Sequence, residues 1–195
     1  MQQTLLEPIT ARYSCRNFLP GRPLSSAELD SLLEAGRLAP SAFGLEPWRF
    51  ISVVDDAQRK AVAQACFDQP AASTAAALIV IVALVEALDP DSAYVRARFE
   101  AEARGQDTTP IYAAYREMHD AATVTAWAVG QCNFAASHIL LQATHLGLAS
   151  CPIGGFDAQA LAAAVSLPKG DVPALVIALG HCADAAPQRL RKPLE

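Results

Sequence analysis

Eight consecutive apolar residues, Leu78-Ile79-Val80-Ile81-Val82-Ala83-Leu84-Val85, cross the middle of the chain without a polar interruption. The run is too short to span a bilayer, and its length and uniformity predict a strand buried on both faces. Such a strand needs a core around it. The chain supplies one: 52% of its 195 residues are hydrophobic and 18% are charged, a balance that favours a packed domain over a solvated chain. With no repeat, linker or low-complexity segment in view, residues 1–195 read as a single domain.

Local signals place other elements around this strand. Ser25 followed by Glu28 is a capping-box pattern, and Leu29, Leu32, Leu33 and Gly36 continue it as one helical face, so 25–38 is predicted helical and Pro40 closes it. Trp48-Arg49-Phe50-Ile51-Ser52-Val53-Val54 has the length and β-branched content of a strand, and Asp55 and Asp56 start a helix over about 57–67. The charged stretch 90–120 is helix-compatible but broken near Gly105 and Pro110. From about Val124 to Leu146 apolar residues recur at helical spacing among Gln131, Asn133, His138, Gln142 and His145, too many polar groups for a membrane span. This predicts a long central helix, buried on most sides and open to sharing with a second subunit. An extended piece over 149–153, a helix capped by Asp157 and an apolar strand over 173–179 complete the pattern.

Several function classes are excluded at this level. Fifteen Lys and Arg stand against 20 Asp and Glu, and the resulting charge of −5 gives no global reason to bind nucleic acid or an anionic membrane. The first eight residues lack a basic segment followed by a long apolar one, which points to the cytoplasm. Five cysteines, at 15, 66, 132, 151 and 182, have no C-x-x-C spacing; they are expected to be small buried hydrophobes rather than a disulfide framework or zinc site. Four histidines lack helical metal-ligand spacing, so no metal is expected. The glycine-rich nucleotide fingerprints and the G-x-S-x-G elbow are absent.

Arg12-Tyr13-Ser14-Cys15-Arg16 places two guanidiniums and a hydroxyl within five residues. Fork-shaped cationic donors suit a phosphate, while a solvated basic turn is the other reading of the residues alone. Arg189-Leu190-Arg191-Lys192-Pro193 is a second basic cluster, equally readable as a loose tail. Ala39 to Trp48 is a small-residue loop, either a plain connection or a surface for a flat ligand.

In this order the segments resemble the nitroreductase family of FMN-dependent oxidoreductases. Arg12-x-Ser14-x-Arg16-x-Phe18 is similar to the family's opening motif, and Leu38-Ala39-Pro40-Ser41 through Glu46-Pro47-Trp48-Arg49-Phe50 to its loop and strand. Gly147-Leu148-Ala149-Ser150-Cys151-Pro152-Ile153-Gly154-Gly155-Phe156-Asp157 resembles a third block. Ala178-Leu179-Gly180-His181 with Arg189-x-Arg191-x-Pro193 resembles the last. The likeness covers nearly the whole chain and is weakest over 86–122.

The resemblance implies an α+β fold, a central mostly antiparallel sheet flanked by helices, in a domain-swapped homodimer with two FMN sites at the interface. Arg12, Tyr13, Ser14, Arg16, Arg189 and Arg191 would hold the FMN phosphate and ribityl chain or lie beside the ring. Pro40, Ser41 and Ala42 would come from the other subunit, Asp68 would lie near the flavin, and Pro152, Ile153, Gly154 and Gly155 would pass over it. NAD(P)H is the implied transient electron donor and a small nitroaromatic or quinone the acceptor, with no protein acid or base required. Phe43, an aromatic on a loop, is the candidate acceptor-selecting residue; a core plug is its other reading. Two positions depart from the family's pattern. Glu46 replaces the usual Gln, and Ala71 cannot donate the amide hydrogen bond expected there. They leave a second reading open, a flavin-binding protein with a storage, sensing or assembly role and little turnover.

Overall fold

The apolar run becomes the inner strand of a four-stranded antiparallel sheet. The computed structural model describes residues 6–193. In chain order these form α1 (Leu6–Ala11), α2 (Ser26–Arg37), a 3-10 turn at Ala42–Gly44, β1 (Trp48–Val53), α3 (Asp56–Ala65), α4 (Pro70–Ser73) and β2 (Ala77–Ala83). A second 3-10 turn at Glu86–Leu88 leads into α5 (Ala93–Ala103), α6 (Thr109–Met118), α7 (Val124–His145), β3 (Ala149–Ile153), α8 (Ala158–Ala164) and β4 (Val172–Gly180). The strand order is β1-β2-β4-β3, every pair antiparallel. The fold is therefore α+β, with helices on both faces of the sheet. No helix among the described residues is long and apolar enough to cross a membrane.

Side chains alternate across the two inner strands, as the two-residue strand period requires. Ile79, Ile81 and Ala83 of β2, with Ile177 and Leu179 of β4, face a core that includes Leu32 of α2, Phe99 of α5, Tyr115 of α6 and Ala128, Cys132 and Ile139 of α7. Leu78, Val80 and Val82, with Val176 and Ala178, face the other core, built from Val62 of α3, Ala71 of α4, Leu161 of α8, and Cys15 and Phe18 of the N-terminal arm. The sheet is thus a wall between two separate cores.

The local sequence explains the helix ends. Ser25 Oγ accepts from the Glu28 amide while the Glu28 carboxylate accepts from the Ser25 amide, the reciprocal capping box expected at α2. Asp55 and Asp157 cap α3 and α8 by simple N-caps, each accepting two amide protons. Gly36 lets α2 approach α7: a Cβ there would stand 2.9 Å from Ile139 Cδ1 and from Phe50 Cζ. Pro110 lies in the first turn of α6, where its missing N–H costs no helical bond, so the break in the charged segment falls at Arg104 and Gly105, both with positive φ.

Two expectations require correction. The helix α7 is not buried on most sides: its buried residues, Ala128, Cys132, Ala135, Ala136, Ile139 and Ala143, form one stripe, and Phe134 on another face is 49% exposed. The apolar composition is spread around the helix, whereas its own chain covers only one side.

The cysteines are not all free. Cys66, Cys132 and Cys151 are buried thiols, but Cys15 and Cys182, 167 residues apart, form a disulfide with a Cα separation of 5.8 Å. The backbone makes this pairing. Phe18 bridges Cys182, the Leu19 amide donates to His181 O at 2.8 Å, and the Ala183 amide donates to Asn17 O at 2.9 Å. Gly180 leaves room for the crossing, since a Cβ there would lie 2.9 Å from the Phe18 ring.

Candidate active site

The N-terminal arm after α1 runs beside β3. Ser14 bridges Ser150, and the Cys15 amide donates to Ser150 O at 3.0 Å. This holds Arg12, Tyr13, Ser14 and Arg16 along one wall of a groove of about 430 Å³. The opposite wall is the C-terminal tail, with Gln188, Arg189, Leu190 and Arg191. Arg189 reaches back across the groove to donate to Thr10 O at 2.8 Å and to Arg12 O. The two basic clusters, 173 or more residues apart in sequence, thus line a single groove.

Its electrostatics suit an anion. Among the described residues, Arg12, Arg16, Arg189 and Arg191 make no ion pair with any carboxylate. Partial burial pushes the Arg12 pKa down, and the charges of Arg189 and Arg191 push it further the same way. Guanidiniums that repel one another at fixed positions gain most from a shared multivalent anion, and Ser14 and Tyr13 add neutral donors.

The chain leaves β3 through Pro152, Ile153, Gly154 and Gly155. The Ile153 side chain is 3% exposed and belongs to the core, so only its backbone can meet a ligand. A Cβ on Gly154 would meet no protein atom within 4 Å, and one on Gly155 would meet only Gln69 Nε2 at 3.6 Å. The segment therefore presents bare backbone to open space. Gln69 fixes it, donating from Nε2 to Gly155 O at 2.8 Å and to Cys66 O at 2.9 Å. Sequence reasoning passed over Gln69; its one local signal is its place just before Pro70, as N-cap of the short helix α4. Asp68 is exposed, and it and Phe67 both have positive φ, 50° and 58°, which turns the chain sharply between α3 and α4. Ala71 is buried beneath that turn.

Pro40, Ser41, Ala42 and Phe43 lie elsewhere. This loop packs on the α2, α5, α6 and α7 side of the sheet, while the cationic groove borders the other core. The loop is held by polar contacts within the chain: Gln131 Oε1 accepts from the Ala42 amide at 2.9 Å, and Ser41 Oγ accepts from the Glu46 amide at 2.7 Å. Phe43, at φ 58°, packs its ring 5.4 Å from Tyr115 and 6.3 Å from Phe99. Glu46, the departure from the family's pattern, is ion-paired to Arg98 at 2.6 Å.

Fold and groove together define the class: an α+β protein with a preformed cationic groove between its N-terminal arm and its C-terminal tail. The chain belongs to the nitroreductase family, which it matches over residues 9–181. An oxygen-insensitive NADPH nitroreductase of Helicobacter acinonychis is 31% identical over 199 residues, covering 98% of this chain and 94% of the relative. An NADH dehydrogenase of Thermus thermophilus is 35% identical over 175 residues, 89% of this chain and 84% of the relative. Among solved structures, a nitroreductase-like protein of Streptococcus mutans superposes with a TM-score of 0.83 at 21% identity, over 97% of this chain and 93% of that one. A protein of Exiguobacterium sibiricum described as a nitroreductase, solved in complex with FMN, does so with a TM-score of 0.82 at 25% identity, over 100% and 95%.

Proposed function

We propose that the protein is a homodimeric, FMN-dependent NAD(P)H oxidoreductase acting on small oxidised acceptors in the cytoplasm. The observation that carries this reading is the convergence of Arg12, Arg16, Arg189 and Arg191 on one groove, with no carboxylate partner among the described residues. That donor set fits a terminal phosphate ester, and the open space at Gly154 and Gly155 leaves room for a flat ring to approach their backbone. The nearby solved structure holds FMN, and the curated relatives carry NADPH and NADH in their names.

In this reading Arg12, Arg16, Arg189 and Arg191 neutralise and orient the phosphate, with Ser14 and Tyr13 as neutral donors. Gln69 holds the Gly155 carbonyl, and would thereby fix the backbone of Pro152–Gly155 that a flavin would meet. FMN held there would supply two-electron hydride chemistry between NAD(P)H and a nitroaromatic or quinone acceptor. No side chain of the site is needed as acid or base, because solvent protons serve the reduced acceptor.

The loop Pro40–Phe43 cannot close this groove from its own side of the sheet, so its contribution comes from a second copy. The exposed face of α7 around Phe134 is the surface available for that contact. The rival reading, a flavin-binding protein with little turnover, rests on Glu46 and Ala71; the ion pair of Glu46 with Arg98 weakens the first ground and leaves the second standing.

The absorbance spectrum of the purified protein and its anaerobic titration test the proposal. Yellow protein that bleaches with NADH or NADPH and recovers its colour with a quinone or nitroaromatic is expected. Bound flavin that neither nicotinamide reduces would select the binding-protein reading, and protein that takes up no FMN would overturn both.

A further inference from the structure

The disulfide found in the fold joins the two halves of the proposed cofactor groove. Cys15 lies between Ser14 and Arg16 on the arm, and Cys182 is the root of the tail that carries Arg189 and Arg191. We propose that Cys15–Cys182 is a reversible redox site through which a dithiol reductant controls how firmly the protein holds FMN. The inference rests on the FMN reading and on the cytoplasmic placement given above.

Residues 183–193 form no helix or strand, and all are exposed. Among the described residues, what is seen to tie them to the arm besides the disulfide is a few hydrogen bonds. Ala183 donates to Asn17 O, Asn17 Nδ2 donates to Asp184 at 3.0 Å, and Arg189 donates to the Thr10 and Arg12 carbonyls. Water competes for each of them. The sulfur–sulfur bond is the one covalent tie between arm and tail, and it sits at the point from which the tail departs. Two of the four guanidiniums of the groove are on that tail. Cutting the tie leaves the root of that segment held by the Phe18–Cys182 bridge and its backbone hydrogen bonds alone, which open more readily without the covalent link, so the two guanidiniums meet the phosphate at a lower effective concentration.

The two sulfurs differ in access. Cys15 is 1% exposed, whereas Cys182 is only partly buried against the core, which makes Cys182 Sγ the open electrophile. A thiolate of the reductant attacks Cys182 Sγ, a mixed disulfide forms, and Cys15 leaves as a thiolate that takes a proton from solvent. The reductant's second thiol then attacks its own sulfur in the mixed disulfide and releases Cys182 as a thiol. The dithiol loses two electrons and two protons to become a disulfide, and the protein gains two thiols. In a reducing compartment a persistent structural disulfide is rare, and one that spans a ligand site fits the sensing kind.

The test uses the wild-type protein in two states, as purified without reductant and after dithiothreitol followed by removal of the reagent under argon. Thiols counted in denaturant should number three and then five, the three being Cys66, Cys132 and Cys151. FMN titrated into the flavin-free protein, read by quenching of its fluorescence, should bind at least tenfold more weakly after reduction and recover on reoxidation. Riboflavin, which lacks the phosphate, should respond to neither treatment. Cys182→Ser should bind FMN as the reduced wild type does, with or without the dithiol. Trypsin cleavage after Arg189 and Arg191, followed by mass spectrometry, should accelerate on reduction. Five thiols before reduction, or equal FMN affinity in the two states, would overturn the proposal. If neither form bound FMN the flavin reading would fall instead, and the tryptic rate would then decide the clamp: no acceleration on reduction overturns it.

Discussion

Arg98 stands with one guanidinium nitrogen 2.6 Å from the Glu46 carboxylate and another 2.9 Å from the Gly44 carbonyl oxygen, so a single side chain of α5 spans the loop that follows α2. Both partners are partly exposed, which discounts the ion pair, but the carbonyl bond is lost with the same substitution. Arg98→Ala should cost about 1–3 kcal/mol in urea unfolding, and Glu46→Gln, which keeps a hydrogen-bonding partner, less than about 1 kcal/mol. Equal losses from the two variants would count against this division.

Arg12→Ala and Arg191→Ala should each weaken FMN binding by roughly tenfold or more, which is about 1.4 kcal/mol, while leaving thermal unfolding nearly unchanged. The residual affinity should fall as salt rises, because the remaining attraction is between partly exposed charges. Isothermal titration at two ionic strengths measures both effects. Unchanged affinity in both variants would remove the phosphate from this groove.

Phe43 is packed among aromatic rings, edge-on to Tyr115. Phe43→Ala should therefore lower stability by about 2–3 kcal/mol, somewhat under the range for a fully buried ring. A variant of wild-type stability that changes its preference among quinone and nitroaromatic acceptors would place the ring at the substrate instead.

Burial pushes the Cys66 thiol up to about 11 and the Cys132 thiol up to about 12 from an ordinary 9.0. Both groups bind their protons more tightly when folded. The stability they contribute is fully present below pH 9 and is lost as pH climbs from there toward 11 and 12, because the unfolded chain ionises first. Unfolding followed from pH 8 to 10.5 should show this decline, reduced in Cys132→Ala relative to its own value at pH 8. Neither thiol should react with iodoacetamide in the native protein at neutral pH.

Phe134→Glu should convert a dimer into monomers in sedimentation, and the monomers should hold FMN less tightly than the dimer. A wild type that sediments as a monomer with full FMN affinity would contradict a site shared between copies.

The elements that local chemistry decides were legible in the sequence. Ser25 and Glu28 make their own cap, Asp55 and Asp157 make theirs, and the uniform apolar run could only be an inner strand. What depends on which residues meet across the fold was not. Nothing within either segment links Cys15 to Cys182, because their approach is set by the bridge between Phe18 and Cys182 after β4 is in place. The two arginine clusters are each ambiguous alone, and their meeting is a tertiary fact. Gln69 escaped notice because a lone glutamine in a turn has no pattern; its partner, the Gly155 carbonyl, is backbone, which no residue type reveals. The helix α7 was over-read because composition reports how apolar a helix is, and only its packing partners decide which side is covered.

The alternation along β2 has a consequence for how this chain tolerates change. Ile79 and Val80 are neighbours in sequence, yet one packs with the loop-bearing helices and the other with the core beneath the arginine groove. Substitutions at such a pair perturb different sets of contacts, so their costs should come close to adding, as they do for distant sites. The core on one face of the sheet can then drift in sequence without loosening the core on the other, and a single strand keeps the two apart.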